Sequence, residues 1–147
     1  MVERRRRHTH FPSILVGYDG SPQADKAVEI AFSLAQDTDS TVLIFSVARP
    51  PEPATSVELE AMLDDAREHF EEKFKVFRER ATALELDLKT DIAVGHPVEQ
   101  IVHRAETDKV DLVILGRRGM SRFGRMLVGS TSEKVLRYAH CPVMVVR

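Results

Sequence analysis

Apolar residues fall along this chain in two alternating textures. Short, nearly unbroken apolar runs occur at residues 14–16 (ILV), 41–47 (TVLIFSV), 112–115 (LVIL) and 143–146 (VMVV). Runs of four to eight such residues, rich in β-branched types, read as buried strands. Residues 88–94 alternate polar and apolar positions and predict a further strand with one covered face. Between these runs the apolar residues recur with a 3.6-residue period. Ala24, Ala27, Val28, Ala31, Leu34 and Ala35 make one helical stripe, opened by Ser21 as N-cap and Pro22 at the first helical position. A loop with three prolines spans 49–53. Residues 57–86 then predict a long amphipathic helix with Leu59, Met62, Leu63, Ala66, Phe70, Phe74, Phe77, Ala81 and Leu84 as its core face. A coiled coil is the weaker reading of this segment, because no strict a/d seam is sustained. Two shorter helices are predicted at 98–106, with Ile101, Val102 and Ala105 inward, and at 130–139.

The predicted order is β-α-β-α-β-α-β-α-β. Such alternation implies a single α/β domain with a five-stranded parallel sheet covered by helices on both faces. Right-handed crossovers leave only a few doubly wound arrangements. In these sheets, ligands bind beyond the carboxyl ends of the strands, where the winding reverses. The residues to inspect are therefore Asp19, Val47 and Gly116, at the ends of the first, second and fourth strands.

Composition narrows the class without changing this picture. The 147 residues are 43% hydrophobic and 30% charged, with a net charge of -2. That balance fits a folded domain and argues against a dedicated nucleic-acid binder, which carries a basic excess. No apolar run approaches the ~20 residues of a membrane span. The single cysteine, Cys141, has no partner in the chain, which fits a reducing cytoplasmic setting. Residues 1–11, with Arg4 to Arg7, read as a disordered basic tail, and residues 12–147 as the domain. Such a tail can also touch phosphate or an acidic surface.

Candidate chemistry concentrates after the fourth strand. Gly116 is followed by Gly119 after two residues and by Gly129 after nine more, with Ser130, Thr131 and Ser132 directly behind. Ser130 and Glu133 match a capping box and mark a helix start. Glycines permit close backbone approach, and a helix N-terminus offers unpaired N–H groups with a positive dipole end. Arg117, Arg118, Arg122 and Arg125 add four positive charges. Together these pieces describe an anion site suited to a di- or triphosphate. Ser130 as a simple cap and the arginines as a solvated loop face are the structural alternatives. The segment holds neither a Gly-Lys pair nor Gly-x-Gly, so the Walker A loop and the dinucleotide fingerprint are absent.

Ile14-Leu15-Val16-Gly17-Tyr18-Asp19-Gly20-Ser21, Gly116-Arg117-Arg118-Gly119 with Gly129-Ser130, and the closing Cys141-Pro142-Val143-Met144-Val145-Val146 give the chain a specific likeness. From Phe11 to Arg147 it resembles the universal stress proteins, and its glycine spacing is that of their ATP-binding branch. The resemblance implies a Rossmann-like fold of the adenine nucleotide alpha hydrolase type. It implies an adenosine site at Tyr18 and Asp19, with Val47 meeting the adenine. Leu115, Gly116, Arg117 and Gly119 would line the ribose and phosphates, and Gly129, Ser130, Thr131 and Ser132 would hold the phosphate chain. It further implies ATP, with Mg²⁺ on the phosphates, as the cofactor, and a homodimer paired through Val143–Val146, the exposed edge that the apolar last strand predicts by itself.

Nothing in the sequence points to efficient catalysis. The six histidines show no metal spacing with one another or with Cys141, and His8-Thr9-His10 falls in the tail. Hydrolysis of ATP needs a positioned base or water beside the γ-phosphate, and Asp19, at the adenosine end, is the only carboxylate placed near the crevice. The expected function is regulatory ATP binding rather than enzymatic turnover. The alternatives are a slow, self-phosphorylating ATPase and a dimeric scaffold that works without nucleotide.

Overall fold

The computed structural model describes residues 11–117 and 130–147. Among the described residues nine elements follow one another in the predicted alternation: β1 (Ser13–Gly17), α1 (Pro22–Thr38), β2 (Thr41–Ala48), α2 (Ser56–Ala83), β3 (Asp87–Val94), α3 (Pro97–Thr107), β4 (Leu112–Gly116), α4 (Ser130–Tyr138) and β5 (Val143–Val146). The strands form one parallel sheet in the order β3-β2-β1-β4-β5. The winding reverses between β1 and β4, as the doubly wound arrangement requires.

Alternation along each strand sorts the core into two layers. Ile14 and Val16 of β1, both fully buried, face α1 and α2, together with Val42, Ile44 and Ile114. Leu15, also fully buried, faces α3 and α4 with Phe45, Ile101, Val113, Leu115 and Val135. The buried stripe of α1 is mostly alanine, which lets its backbone approach the sheet closely. Its first turn is capped as predicted, with Ser21 Oγ accepting from the Ala24 N–H at 3.1 Å.

The long helix α2 departs from its sequence reading at both ends. It opens one residue earlier, on a capping box in which Thr55 Oγ1 accepts from the Glu58 N–H at 3.2 Å and Glu58 Oε2 accepts from the Thr55 N–H at 2.6 Å. It stops at Ala83 rather than at 86. Glu85 turns left-handed (φ 55°) and the Leu86 N–H reaches back to the Ala81 carbonyl at 2.8 Å. Lys109 closes α3 in the same way (φ 52°), with the Val110 N–H on the Ala105 carbonyl at 2.9 Å. The apolar stripe of α2 is buried only from its third turn onward, at Ala66, Phe74, Phe77 and Ala81, whereas Leu59 stays exposed.

Arg104 of α3 ties that helix to the sheet. It donates to Asp91 Oδ2 at 2.6 Å and Asp108 Oδ2 at 2.7 Å while its guanidinium lies over the Phe45 ring. At the amino edge, Phe11 packs against the core and its carbonyl accepts from Ser40 Oγ, so this residue sits with the domain rather than with the basic tail. Residues 1–10, including Arg4 to Arg7 and the two tail histidines, lie outside the described residues.

Candidate functional site

The carboxyl ends of β1, β2 and β4 open into a cleft of about 280 Å³ at the point where the winding reverses. Its floor comes from the last residues of the strands. Gly17 pairs with Phe45 across β1–β2 and with Leu115 across β1–β4, and all three line the cleft. A Cβ built on Gly17 would stand 2.4 Å from Leu115 Cδ2 and 3.4 Å from Ile101 Cδ1, both of them side chains of the cleft wall. The missing side chain at Gly17 therefore keeps the floor open.

Two helices aim their amino ends at this space. Pro97, the first residue of α3, and Ser130, the first of α4, both line it. Each end contributes a positive dipole terminus. Ser130 is exposed and Thr131 half-buried, so both hydroxyls are within reach of a ligand. Ser132 is buried, and its Oγ points to the Gly116 carbonyl at 3.5 Å. It braces α4 against the end of β4 more than it faces outward.

Of the residues singled out by sequence, Tyr18, Asp19, Val47, Leu115, Gly116, Ser130, Thr131 and Ser132 meet around this cleft. They differ in what they present. The Tyr18 ring is buried in an aromatic cluster, 5.2 Å from Phe77 and 6.1 Å from Phe70 between centroids, and its hydroxyl donates to Asp25 Oδ1 at 2.7 Å. Burial first, and then the bond to Asp25, push its phenol well above the ordinary range. Its main chain is also engaged: the N–H donates to the Phe45 carbonyl and the carbonyl accepts from the fully buried Ser46 Oγ. Tyr18 is thus a core residue that borders the site, with its hydroxyl committed to Asp25 and its ring to the aromatic cluster. Asp19 is exposed at the rim, where Oδ1 accepts from the Ser21 N–H at 3.0 Å. That bond shapes the turn leading into the α1 cap.

Gly116 has a structural duty that spacing did not reveal. A Cβ there would lie 2.6 Å from the Ala24 nitrogen and the Gln23 carbonyl carbon, main-chain atoms of the first turn of α1. The glycine lets strand and helix close on each other. Arg117 stands one residue beyond β4 with its N–H on the Val146 carbonyl at 2.6 Å, and it is not among the lining residues. Gly119 and Gly129, with Arg118, Arg122 and Arg125, lie outside the described residues.

Sequence reasoning missed Gly17, Phe45, Arg49, Pro97 and Ile101. The signal for Arg49 was present, since it is the first charged residue after β2 and so stands at the cleft's mouth. Arg49 supplies the positive side chain that the described part of the site would otherwise lack. Among the described residues, no group of three or more His, Cys, Asp or Glu side chains could hold a metal ion. None of the described helices is long and apolar enough to cross a membrane.

Comparison with known proteins agrees with this geometry. Residues 10–147 match the model of the universal stress protein family. A universal stress protein of Thermus aquaticus is 34% identical over 139 residues, covering 93% of this chain and 99% of the relative. The solved structure of UspA from Lactobacillus plantarum superposes with a TM-score of 0.74 at 25% identity, over 92% of this chain and 98% of that one. A universal stress protein crystallised in complex with cAMP superposes with a TM-score of 0.73 at 24% identity, over 94% of this chain and 98% of that one. A family match across nearly the whole length, joined to the same five-stranded sheet, leaves one conclusion: the chain belongs to the universal stress protein family.

Proposed function

We propose that this protein is a regulatory nucleotide-binding module that takes ATP in the β1–β4 cleft and holds it without efficient turnover. The observation that supports this most is the convergence of two helix amino ends, the Ser130 and Thr131 hydroxyls and Arg49 on one cleft at the reversal of winding. That donor set suits a phosphate chain. The half-exposed Val47, at the end of β2, offers an apolar flank and a main chain suited to a purine edge. Asp19, which lines the cleft at the β1 end, would accept from the ribose hydroxyls. The solved relative with cAMP fits the same class of ligand.

Asp19 is the only carboxylate among the described lining residues. Mg²⁺ on the ligand would therefore be held by phosphate oxygens and by the Ser130 and Thr131 hydroxyls, not by a carboxylate cage. Among the described lining residues of the cleft the one carboxylate sits at the ribose end, away from where a γ-phosphate would lie, which favours storage over hydrolysis. We also assign the dimer contact to β5. It is the edge strand opposite β3, with Val143, Met144 and Val145 half-exposed, and unpaired edges invite a second copy.

Mass spectrometry of the small molecules released on denaturing the purified protein, followed by calorimetry with ATP, AMP and cAMP, tests the assignment. ATP should bind, and Asp19→Ala should weaken it by about tenfold, the loss of one charged hydrogen bond. Unchanged ATP affinity in Asp19→Ala, or no binding by wild type, would overturn it. Sustained metal-dependent ADP release would move the protein to the ATPases.

A further inference from the structure

A second concavity, of about 590 Å³, lies beside the cleft between α3 and α4. Arg49, Pro97, Ser130 and Thr131 border both spaces, so the two form one continuous surface that bends at the amino end of α4. On α4, Ser130, Lys134 and Tyr138 recur every four residues and make a single stripe along the groove. The nine residues of α4 carry that stripe over about 12 Å. Val98 and Val102 of α3, both half-buried, give the groove an apolar flank.

Several side chains here are uncommitted. Tyr138 is 62% exposed at the far end of the groove. Among the described residues, the side chains of Tyr138, Lys134, His103 and Arg49 enter no hydrogen bond, ion pair or ring contact. The chemistry changes along the path. At the bend, a guanidinium, two hydroxyls and a helix amino end call for an anion. Beyond it, two carboxylates, Glu99 and Glu106, outnumber the single ammonium of Lys134 among the lining residues, so the far compartment disfavours further phosphate and suits an uncharged group with hydrogen-bond donors. The exposed Tyr138 ring and Val102 suit a planar, aromatic one.

We infer that the α3–α4 groove receives the second nucleoside of a dinucleoside polyphosphate whose first nucleoside fills the cleft. The phosphate chain crosses between the compartments at Arg49, Ser130 and Thr131. This inference rests on the nucleotide reading of the cleft, and it assigns to the groove a ligand half that ATP does not have.

Calorimetry on the full-length protein with ATP, adenosine tetraphosphate and diadenosine tetraphosphate separates the two ideas. The two tetraphosphates differ only by the second nucleoside, and the dinucleotide carries less negative charge, so electrostatics alone predicts that it binds more weakly. Wild type should instead bind it about tenfold more tightly, the gain of one base stacked on an aromatic side chain. Tyr138→Ala should bring the dinucleotide down to the level of adenosine tetraphosphate while leaving ATP affinity within about twofold, with His103→Ala as an independent second variant. Equal affinities for the two tetraphosphates in wild type, or a gain that survives both variants, would overturn the groove assignment while ATP binding stood. Failure of all three ligands would remove the cleft assignment with it.

Discussion

Substituting Gly116 by alanine separates two reasons for a glycine at the end of β4. If the residue is small so that phosphate can approach, Gly116→Ala should spare stability and damage binding. The geometry points the other way. The added methyl would sit 2.6 Å from two main-chain atoms of α1 and 2.9 Å from the Gln23 carbonyl oxygen, nearly an ångström inside ordinary contact. Neither neighbour can rotate away. Ala24 is 1% exposed and its N–H is held by the Ser21 cap, so the whole first turn of α1 must shift. Overpacking of this kind costs about 3 kcal/mol. The lower freedom of alanine in the unfolded chain returns about 0.5–1 kcal/mol of that. A net loss of about 2 kcal/mol lowers the melting temperature of a domain this size by about 4–8 °C. Gly17→Ala is the matched control, because its new methyl meets the Leu115 side chain rather than main chain. It should cost about 1 kcal/mol and narrow the cleft floor. Thermal unfolding followed by circular dichroism, with ATP titration of both variants, reads the contrast. A Gly116→Ala protein that melts within 1 °C of wild type would refute the packing argument (a shift of that size is under about 0.5 kcal/mol).

Two further outcomes follow from local geometry. Tyr18→Phe keeps the ring cluster and removes the bond to Asp25, so it should lower stability at neutral pH by about 1 kcal/mol. The Tyr18 phenol is raised in the folded state, so above about pH 10 the unfolded chain releases a proton that the native one retains, and stability falls as pH rises. Urea denaturation between neutral pH and pH 11 should show that alkaline loss in wild type and a smaller one in Tyr18→Phe, and identical slopes would contradict the assignment. Glu85→Gly and Lys109→Gly place glycine where the helix ends turn left-handed. Relief of about 1 kcal/mol of strain, less the entropy of glycine, should leave each variant about 0.5 kcal/mol more stable in urea denaturation, whereas alanine at either site should give no gain.

The order and kind of all nine elements were legible because hydrophobic period and strand composition agree along the whole chain. What escaped were features set by neighbours distant in sequence. The apolar period of α2 runs on to Leu86, but that residue is apolar because it packs beneath the helix after the turn at Glu85. Leu59 belongs to the same stripe and stays exposed, since periodicity shows a face without showing what covers it. In the site, strand ends gave Asp19, Val47 and Gly116 directly. Phe45 and Ile101 required the register of β1 with β2 and the seat of α3, which a linear pattern does not contain. Tyr18 sits in the right segment, yet only the alternation of β1 carried past Gly17 shows that its ring turns away from the cleft.

Because the cleft is floored by a strand near the start of the chain and roofed by a helix near its end, its walls assemble only once the central crossover is complete. A molecule seated there clasps segments more than a hundred residues apart. Occupancy would therefore slow global opening rather than fraying, so resistance to protease digestion would become a running measure of how much ligand is at hand.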